Sequence, residues 1–256
     1  MSNMKILTKQ EQLLLCSLPD LTVVDIATIK DINRSLHITT NSNLLKTLHN
    51  LIRKSVLLNL KKGTYYVVKP GSRVDVFSMA RYVFEGYLGL ETALFVYGAK
   101  SDYPINIQII TPGNRYLKKT VGNTIFVGIP FRRLCYGAME LDGKLVSSRA
   151  KTLFDCMYHI DLVKDYGSIL RLVRMLSKKD LEEFVMYADR LNQIVFYERS
   201  GYMLSVAHAP KWVLEYLRKR TKSNAVVASM STTISKQKGT FIKSWSIYDN
   251  IGIQKL

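Results

Sequence analysis

The chain has 256 residues, of which 47% are hydrophobic and 22% are charged, and this globular composition excludes a disordered protein. Its formal net charge of +17 at pH 7 favours a polyanionic partner, either nucleic acid or an anionic membrane surface. The excess of positive charge is spread along the chain, with net charges of +6 in residues 1–72, +4 in 73–160 and +7 in 161–256. It therefore does not form a single polybasic anchor.

The sequence has no signal for a membrane or a secreted location. It contains no apolar run of about 18 residues, and its N-terminus lacks the residue order of a secretion signal. The cysteines, Cys16, Cys135 and Cys156, are odd in number and have apolar neighbours, which favours reduced thiols over disulfides. We therefore expect a cytoplasmic protein that does not bind a membrane.

The first 72 residues predict three helices and a hairpin. The spacing of apolar residues predicts helices over 4–17, 25–36 and 39–54. One strand is predicted before the basic turn 61–63 and one after it. This order is that of a winged helix-turn-helix, whose third helix usually enters the major groove. We expect the domain to span residues 1–72 and to end at Pro70-Gly71-Ser72.

The third helix is the candidate recognition helix. One face is predicted to pack inward and carries Leu44, Leu45, Leu48, Leu51 and Ile52. The predicted DNA contacts lie at the start of this helix, on its other face and in the hairpin turn. They are Asn41, Asn43, Lys46, Thr47, Asn50, Arg53, Lys54, Lys61 and Lys62. Donors and cations in this arrangement suit a duplex groove and its flanking phosphates, although a solvated helix face has the same pattern.

Residues 73–256 predict a mixed α+β domain with a short antiparallel sheet and several helices, with a sub-boundary near residue 161. Two helices are expected within 75–97, broken at Gly86 and Gly89, and further helices over 148–160, 165–176, 178–191 and 210–221. Strands are expected over 106–111, 116–121, 124–129, 139–141 and 144–146. Residues 219–238 favour a mobile loop, and 239–253 return to strand character. The predicted fold class is thus α+β, with the winged unit in front.

Metal and catalytic signals are weak. The four histidines do not cluster with acids or cysteines at ligand spacing, and no glycine-rich phosphate loop occurs, so we expect no metal and no cofactor. A metal-dependent nuclease would need carboxylates gathered around a cation. Candidates for that rival interpretation are Glu85, Glu91, Glu140 and Asp142.

Three ordered motifs resemble those of the AbiEi-type antitoxin and transcriptional regulator family. They are YLGLETALFVYG (87–98), VSSRAKTLFDCMYHID (146–161) and KGTFIKSWSIYDN (238–250). The second aligns Lys151, Thr152, Leu153 and Asp155 with the family pattern, and the third aligns Gly239, Trp245 and Asn250. The sequence departs from the family at Ala150, where a glutamate is usual, and at Gly89, near the place of a serine.

The resemblance implies a non-enzymatic antitoxin that represses its own promoter through inverted repeats on double-stranded DNA. It implies a nucleotidyltransferase-like toxin as functional partner, neutralised without a stable complex, and a homodimer on DNA. The rival interpretations are a nucleic-acid-processing enzyme with a winged targeting domain and an adaptor that makes only protein contacts.

A second basic surface is predicted outside the winged unit. Lys118, Lys119, Arg132 and Arg133 flank predicted strands, and Arg218, Lys219, Arg220 and Lys222 end a predicted helix. One of these clusters is expected to lie along the DNA and clamp it. The alternative is a scattered positive surface that serves solubility or meets an acidic toxin.

Overall fold

The computed structural model describes residues 6–221, 228–235 and 239–255. The described helices are α1 (Lys9–Ser17), α2 (Ile26–Ser35), α3 (Asn41–Arg53), α4 (Val76–Val83), α5 (Leu90–Val96), α6 (Arg149–Tyr158), α7 (Tyr166–Met175), α8 (Lys178–Leu191), α9 (Ile194–Val206) and α10 (Lys211–Thr221). The described strands are β1 (Val23–Asp25), β2 (Leu57–Lys61), β3 (Thr64–Val67), β4 (Tyr87–Leu88), β5 (Asn106–Thr111), β6 (Leu117–Val121), β7 (Thr124–Pro130), β8 (Ala138–Leu141), β9 (Lys144–Ser147), β10 (Ala228–Ser229), β11 (Thr240–Ile242) and β12 (Ile247–Asp249). The α+β class is confirmed.

The N-terminal helices pack on a small antiparallel sheet of strand order β1-β3-β2. Their shared core includes Leu14, Ile29, Leu44, Leu48 and Leu51. The strand β1 was not expected from the sequence, because three residues are too few to show a strand pattern. In the order of elements, this region reads helix, strand, helix, helix, strand, strand.

Side-chain caps explain where several helices begin. The Thr8 hydroxyl accepts from the backbone N–H of Glu11, whose carboxylate accepts from the backbone N–H of Thr8, so α1 starts with a reciprocal capping box. Residues 6–8 therefore lie before the first residue of α1. The helix was predicted to begin at residue 4, and this prediction is wrong for residues 6–8. The helix α8 begins in the same way: the Ser177 hydroxyl accepts from the Asp180 N–H over 3.2 Å, and the Asp180 carboxylate accepts from the Ser177 N–H over 2.8 Å.

The central sheet has six strands in the order β6-β7-β5-β4-β9-β8. The strand β5 pairs in parallel with β7, with Asn106 opposite Ile125 and Thr111 opposite Pro130, and β4 pairs in parallel with β9. The pairs β4–β5, β6–β7 and β8–β9 are antiparallel, so the sheet is mixed, and the prediction of a short, purely antiparallel sheet is wrong in part. After β5 the chain forms the edge strand β6 and turns back into β7, which comes to lie between β6 and β5.

The N-terminal sheet shares a core with the central sheet. Leu60 of β2 and Tyr66 of β3 are buried in one cluster with Phe77, Met79 and Val83 of α4. On the far side, the turn between β6 and β7 approaches β2, since a Cβ at Gly122 would lie 3.4 Å from Leu58 Cδ2. The hairpin β2–β3 is thus backed by the rest of the protein. The domain boundaries at residue 72 and near residue 161 stay predictions.

The helix α6 lies at the centre of the larger core. It packs against α5, α7, α8 and α9, and all its residues from Ala150 to Met157 are buried. Lys151 pairs with Asp155 one turn later, both fully buried, and Tyr87 donates from its hydroxyl to Asp155 over 3.3 Å. The rings of Tyr87, Phe131, Tyr136 and Phe154 have centroids 4.7–5.7 Å from Lys151 Nζ.

The C-terminal region adds a three-stranded sheet of order β10-β12-β11 beside α9. The helix α9 was not expected from the sequence, because apolar residues surround it and leave no periodic stripe. Residues 239–253 form two short strands separated by a 3-10 turn, Lys243–Trp245. Of the loop predicted over 219–238, residues 219–221 belong to α10, and positions 222–227 and 236–238 lie outside the described residues.

Replacing Gly201 by alanine is expected to destabilise the protein. A Cβ at this position would lie 2.0 Å from Trp245 Cζ3, so the buried indole or the helix must shift, at a cost of about 1–3 kcal/mol. Urea unfolding measures the loss. Gly113→Ala is the control, because its Cβ would meet only Thr111 Oγ1, at 3.9 Å. Equal stability of the two variants would contradict this packing.

Candidate nucleic-acid interface

A buried asparagine fixes the turn that leads into α3. The Asn33 side chain donates to the Thr39 carbonyl over 2.9 Å and accepts from the Thr39 N–H over 3.1 Å. Within the turn, His37 has a φ of 48°, in the left-handed region. These contacts set the direction of α3 relative to α2. The sequence offered one signal for this role, since a lone asparagine on an apolar helix face often bonds to backbone.

The buried face of α3 consists of Leu44, Leu48 and Leu51 together with Thr47. Only 6% of Thr47 is exposed, and its hydroxyl donates to the Asn43 carbonyl over 3.1 Å. Its prediction as a DNA contact is therefore wrong. At about 100° per residue, position 47 lies roughly 40° from position 51 on the helical wheel, at the edge of the buried face, so the helix turns the threonine inward despite its polarity.

The exposed face of α3 is centred on Ser42, Lys46, His49 and Arg53, and we call these four residues and Leu45 the α3 surface. The prediction included Lys46 and Arg53 but missed Ser42 and His49, which follow at helical spacing. Leu45 was expected to face inward, yet 62% of it is exposed. The segment 41–54 contains no acidic residue, so the α3 surface carries no carboxylate of its own.

The other predicted contacts on α3 flank this surface. Asn41 and Asn43 are exposed in the first turn, and Asn50 is half-buried beside Arg53. The side chain of the N-cap residue Thr40 makes no capping bond to the backbone of the helix start, and its hydroxyl instead lies 3.0 Å from the Ser42 hydroxyl. Five predicted residues, Asn41, Asn43, Lys46, Asn50 and Arg53, thus reach the solvent side of one helix.

Lys54 has a structural role, and its prediction as a DNA contact is wrong. Its Nζ lies 2.5 Å from Glu11 Oε2 and donates to the Ile6 carbonyl over 2.9 Å, and 19% of the side chain is exposed. The lysine therefore ties the end of α3 to the start of α1.

The same contacts set the pKa of Glu11. Burial acts to raise this pKa, but the hydrogen bonds from Lys54 and the Thr8 N–H, with the lysine charge, outweigh burial and lower it from its ordinary value of 4.5. A lowered pKa means that the carboxylate form is favoured in the folded protein. The stabilisation is therefore present above about pH 4.5 and is lost as the pH falls through the folded value.

The hairpin places Lys61 and Lys62 at its exposed tip. An irregularity in the pairing lies between Asn59 and Lys61, and Gly63 has a φ of 73° in the turn. The Gly63 carbonyl accepts from the Ile26 N–H over 2.8 Å, which ties the tip to the start of α2. Both predicted lysines are exposed as expected, on a hairpin that is short and held in place.

The basic cluster at the end of α10 is partly used inside the protein. Arg220 pairs with Asp189 at 2.7 Å and lies 3.6 Å from the Tyr216 ring centroid, which disfavours the DNA contact that was predicted for it. The Arg218 Cζ atom lies 5.1 Å from the centroid of the Trp245 ring, and the residue is exposed. Lys219 is also exposed. Lys222 lies outside the described residues.

The other two clusters differ in their surroundings. Arg132 and Arg133 are exposed in a 3-10 turn, Arg132–Leu134, where Arg132 has a φ of 50°. Lys118 is exposed on the edge strand β6, and burial lowers the pKa of its half-buried neighbour Lys119. The strand β6, which carries Lys118, packs against β2 of the hairpin.

The family-like residues Lys151 and Asp155 are buried in the core. Burial raises the pKa of Asp155 to about 7 against the opposing charge of Lys151, and burial also lowers the pKa of Lys151. Trp245 is likewise buried, and the Asn250 side chain bonds to the backbone of Ser231. These residues hold the fold and do not reach the α3 surface.

The acidic residues considered for a nuclease do not converge in the described residues. Glu140 pairs with Arg81 at 2.6 Å, and Glu91 accepts from the Lys164 N–H at 2.7 Å. Within residues 6–221, 228–235 and 239–255, no three His, Cys, Asp or Glu side chains are grouped so that they could hold a metal ion. Across the same ranges, none of the helices combines the length and the apolar character needed to span a bilayer.

Comparisons with known proteins show the fold alone. The sequence matches no family model and no curated protein. Its structure is similar to the crystal structure of the RV2827C protein from Mycobacterium tuberculosis, with a TM-score of 0.71 at 15% sequence identity. The match covers 98% of this chain and 95% of that chain, so the two proteins share an architecture over nearly their full lengths.

Replacing Lys54 by alanine is expected to lower the free energy of unfolding by about 1–3 kcal/mol at pH 7, because Glu11 is then left buried without its charged donor. Urea unfolding measures the difference, which should shrink as the pH falls below 4.5 and Glu11 becomes protonated in both proteins. The exposed Lys46→Ala variant is the control and should unfold like the parent. A Lys54 effect that is independent of pH would contradict the assignment.

Proposed function

We propose that this protein is a sequence-specific, double-stranded-DNA-binding transcriptional repressor. In this proposal the predicted domain of residues 1–72 is a winged helix-turn-helix, α3 is the recognition helix and the hairpin β2–β3 is the wing. The order of elements and the antiparallel sheet β1-β3-β2 support it, since winged helices combine these parts.

The α3 surface is the observation that carries the proposal. It places two cationic side chains, Lys46 and Arg53, beside the donors of Ser42 and His49 on a helix of 13 residues without an acid. A helix of this size fits the major groove, and lysine, arginine and asparagine side chains recognise base edges there. A merely solvated helix face would more often mix both signs of charge.

The net charge and the hairpin tip add the phosphate contacts that such a protein needs. Lys61 and Lys62 project from a tip that is bonded to α2, so their positions relative to α3 are constrained. The charge of +17 raises affinity for any duplex, and the α3 surface would supply selectivity.

The antitoxin part of the proposal rests on the motif resemblance. We infer that the repressor controls its own promoter through inverted repeats, as a dimer on DNA, in an operon with a nucleotidyltransferase-like toxin. A reading frame of that kind beside the gene is the arrangement that this inference requires. The motif residues Lys151, Asp155 and Trp245 are buried, so they give no contact surface for the toxin.

The nuclease-like alternative has no comparable support. Two of its four candidate carboxylates are engaged in separate places, Glu140 by Arg81 and Glu91 by the backbone of residues 164 and 165. Binding without turnover is therefore the function that the described side chains favour.

Replacing Lys46 and Asn50 by alanine should weaken binding to a preferred duplex by about 1–3 kcal/mol per lost base contact and should relax the choice of site. The duplex is first selected from a random library with the full chain, and affinity is then measured by fluorescence anisotropy. Lys178→Ala, on the exposed end of α8, is the control for the loss of a surface charge. Unchanged affinity and selectivity in the double variant would show that α3 is not the recognition helix.

Replacing Lys61 and Lys62 by alanine should weaken binding to all duplexes alike, because these side chains are expected to touch phosphates. The slope of log affinity against log salt should flatten by about 0.9 for each lost phosphate contact. A salt series with the selected duplex and a scrambled duplex measures both effects. A loss confined to the selected duplex would instead indicate that the hairpin tip reads bases.

A further inference from the structure

Leu45 is an exposed apolar side chain on an otherwise polar surface. It lies beside Lys46 and one helical turn before His49, and 62% of it is exposed. Its neighbours Leu44 and Leu48 are almost fully buried, at 1% and 2% exposure. Because these leucines fix the rotation of α3 against the core, Leu45 cannot turn inward without removing them from it.

The chemistry around Leu45 indicates what it would meet on a duplex. The helix segment 41–54 around Leu45 contains no acidic residue, so the charge of the adjacent Lys46 complements a polyanion and disfavours a protein surface of the same sign. In the major groove the base edges present hydrogen-bonding groups and one apolar group, the C5-methyl of thymine. An aliphatic side chain among donors matches a thymine, whose edge combines that methyl with the O4 acceptor.

We propose that Leu45 is a specificity-determining residue that packs against a thymine methyl group in the major groove. This inference rests on the proposed function, and it adds the group on the DNA, the thymine methyl, that Leu45 recognises. Lys46 is the adjacent side chain that can donate to an acceptor on the same or a neighbouring base.

The test removes the methyl group from the DNA and the leucine from the protein. Each thymine of the selected duplex is replaced in turn by deoxyuracil, which keeps every hydrogen-bonding group, and affinities are measured with the full chain. For the parent, one replacement should weaken binding about fourfold, the fold-change that corresponds to about 0.8 kcal/mol for one buried methyl group. For Leu45→Ala the same replacement should change the affinity less than about twofold.

Leu13→Ala is the matched control, because Leu13 is another exposed leucine, on α1, at 48% exposure. This variant should keep the full sensitivity of the parent to deoxyuracil. Circular dichroism and urea unfolding establish that both variants are folded, as expected for exposed positions.

Three results would overturn the proposal while leaving DNA binding intact. They are a selected duplex without thymine, a parent that tolerates deoxyuracil at every position, and a Leu45→Ala variant that keeps the parent's sensitivity. Conversion of a dimer into a monomer by Leu45→Ala, without any change in thymine preference, would also overturn it and assign the leucine to contact between two copies. Failure to bind any duplex would defeat the proposed function and this inference together.

Discussion

The buried pair of Lys151 and Asp155 is the constraint on which the rest of the fold depends. Two charged groups within one helix can be tolerated in an apolar core only when every neighbouring group is fixed around them. The aromatic rings around Lys151 and the Tyr87 hydroxyl supply that environment, and they come from β4, α6 and the segment after β7. The helix α6 thereby joins the central sheet to the C-terminal helices. The same sheet, through α4, supports the hairpin β2–β3, so the α3 surface belongs to a body with a well-packed interior.

Much of the helical content could be predicted from the sequence, because amphipathic segments such as α2, α3, α7 and α8 show their buried face as a period. The helix α9 could not, since its apolar residues lie on all sides. Strand direction was also beyond the sequence. The residues of β5 and β7 show that each is a strand, but their parallel pairing depends on β6 passing to the edge of the sheet. The capping boxes at Thr8 and Ser177 share one sequence signal, a Ser or Thr three residues before an acid, but the predicted start of α1 missed this signal at Thr8.

The candidate site was predicted in part, and the errors have a common cause. Residue type suggested that Thr47 faces solvent and Leu45 faces the core, whereas helix geometry places them the other way round. Lys54 and Arg220 are cations whose partners, Glu11 and Asp189, are distant in sequence and therefore invisible to a local pattern. His49 was missed because the predicted contacts on α3 were limited to lysine, arginine, asparagine and threonine, although a histidine at the same helical spacing also carries a donor.

The central claim is that the exposed side of α3 lies in a duplex groove. Site-specific photo-cross-linking tests it most directly, with a benzophenone amino acid placed at His49 on α3 and, in a second protein, at Met186, which is 68% exposed on α8. Under conditions where both proteins bind the selected duplex equally, we expect a covalent adduct with DNA from position 49 and none from position 186. An adduct from position 186 alone, or none from position 49 while the duplex is bound, would contradict the account.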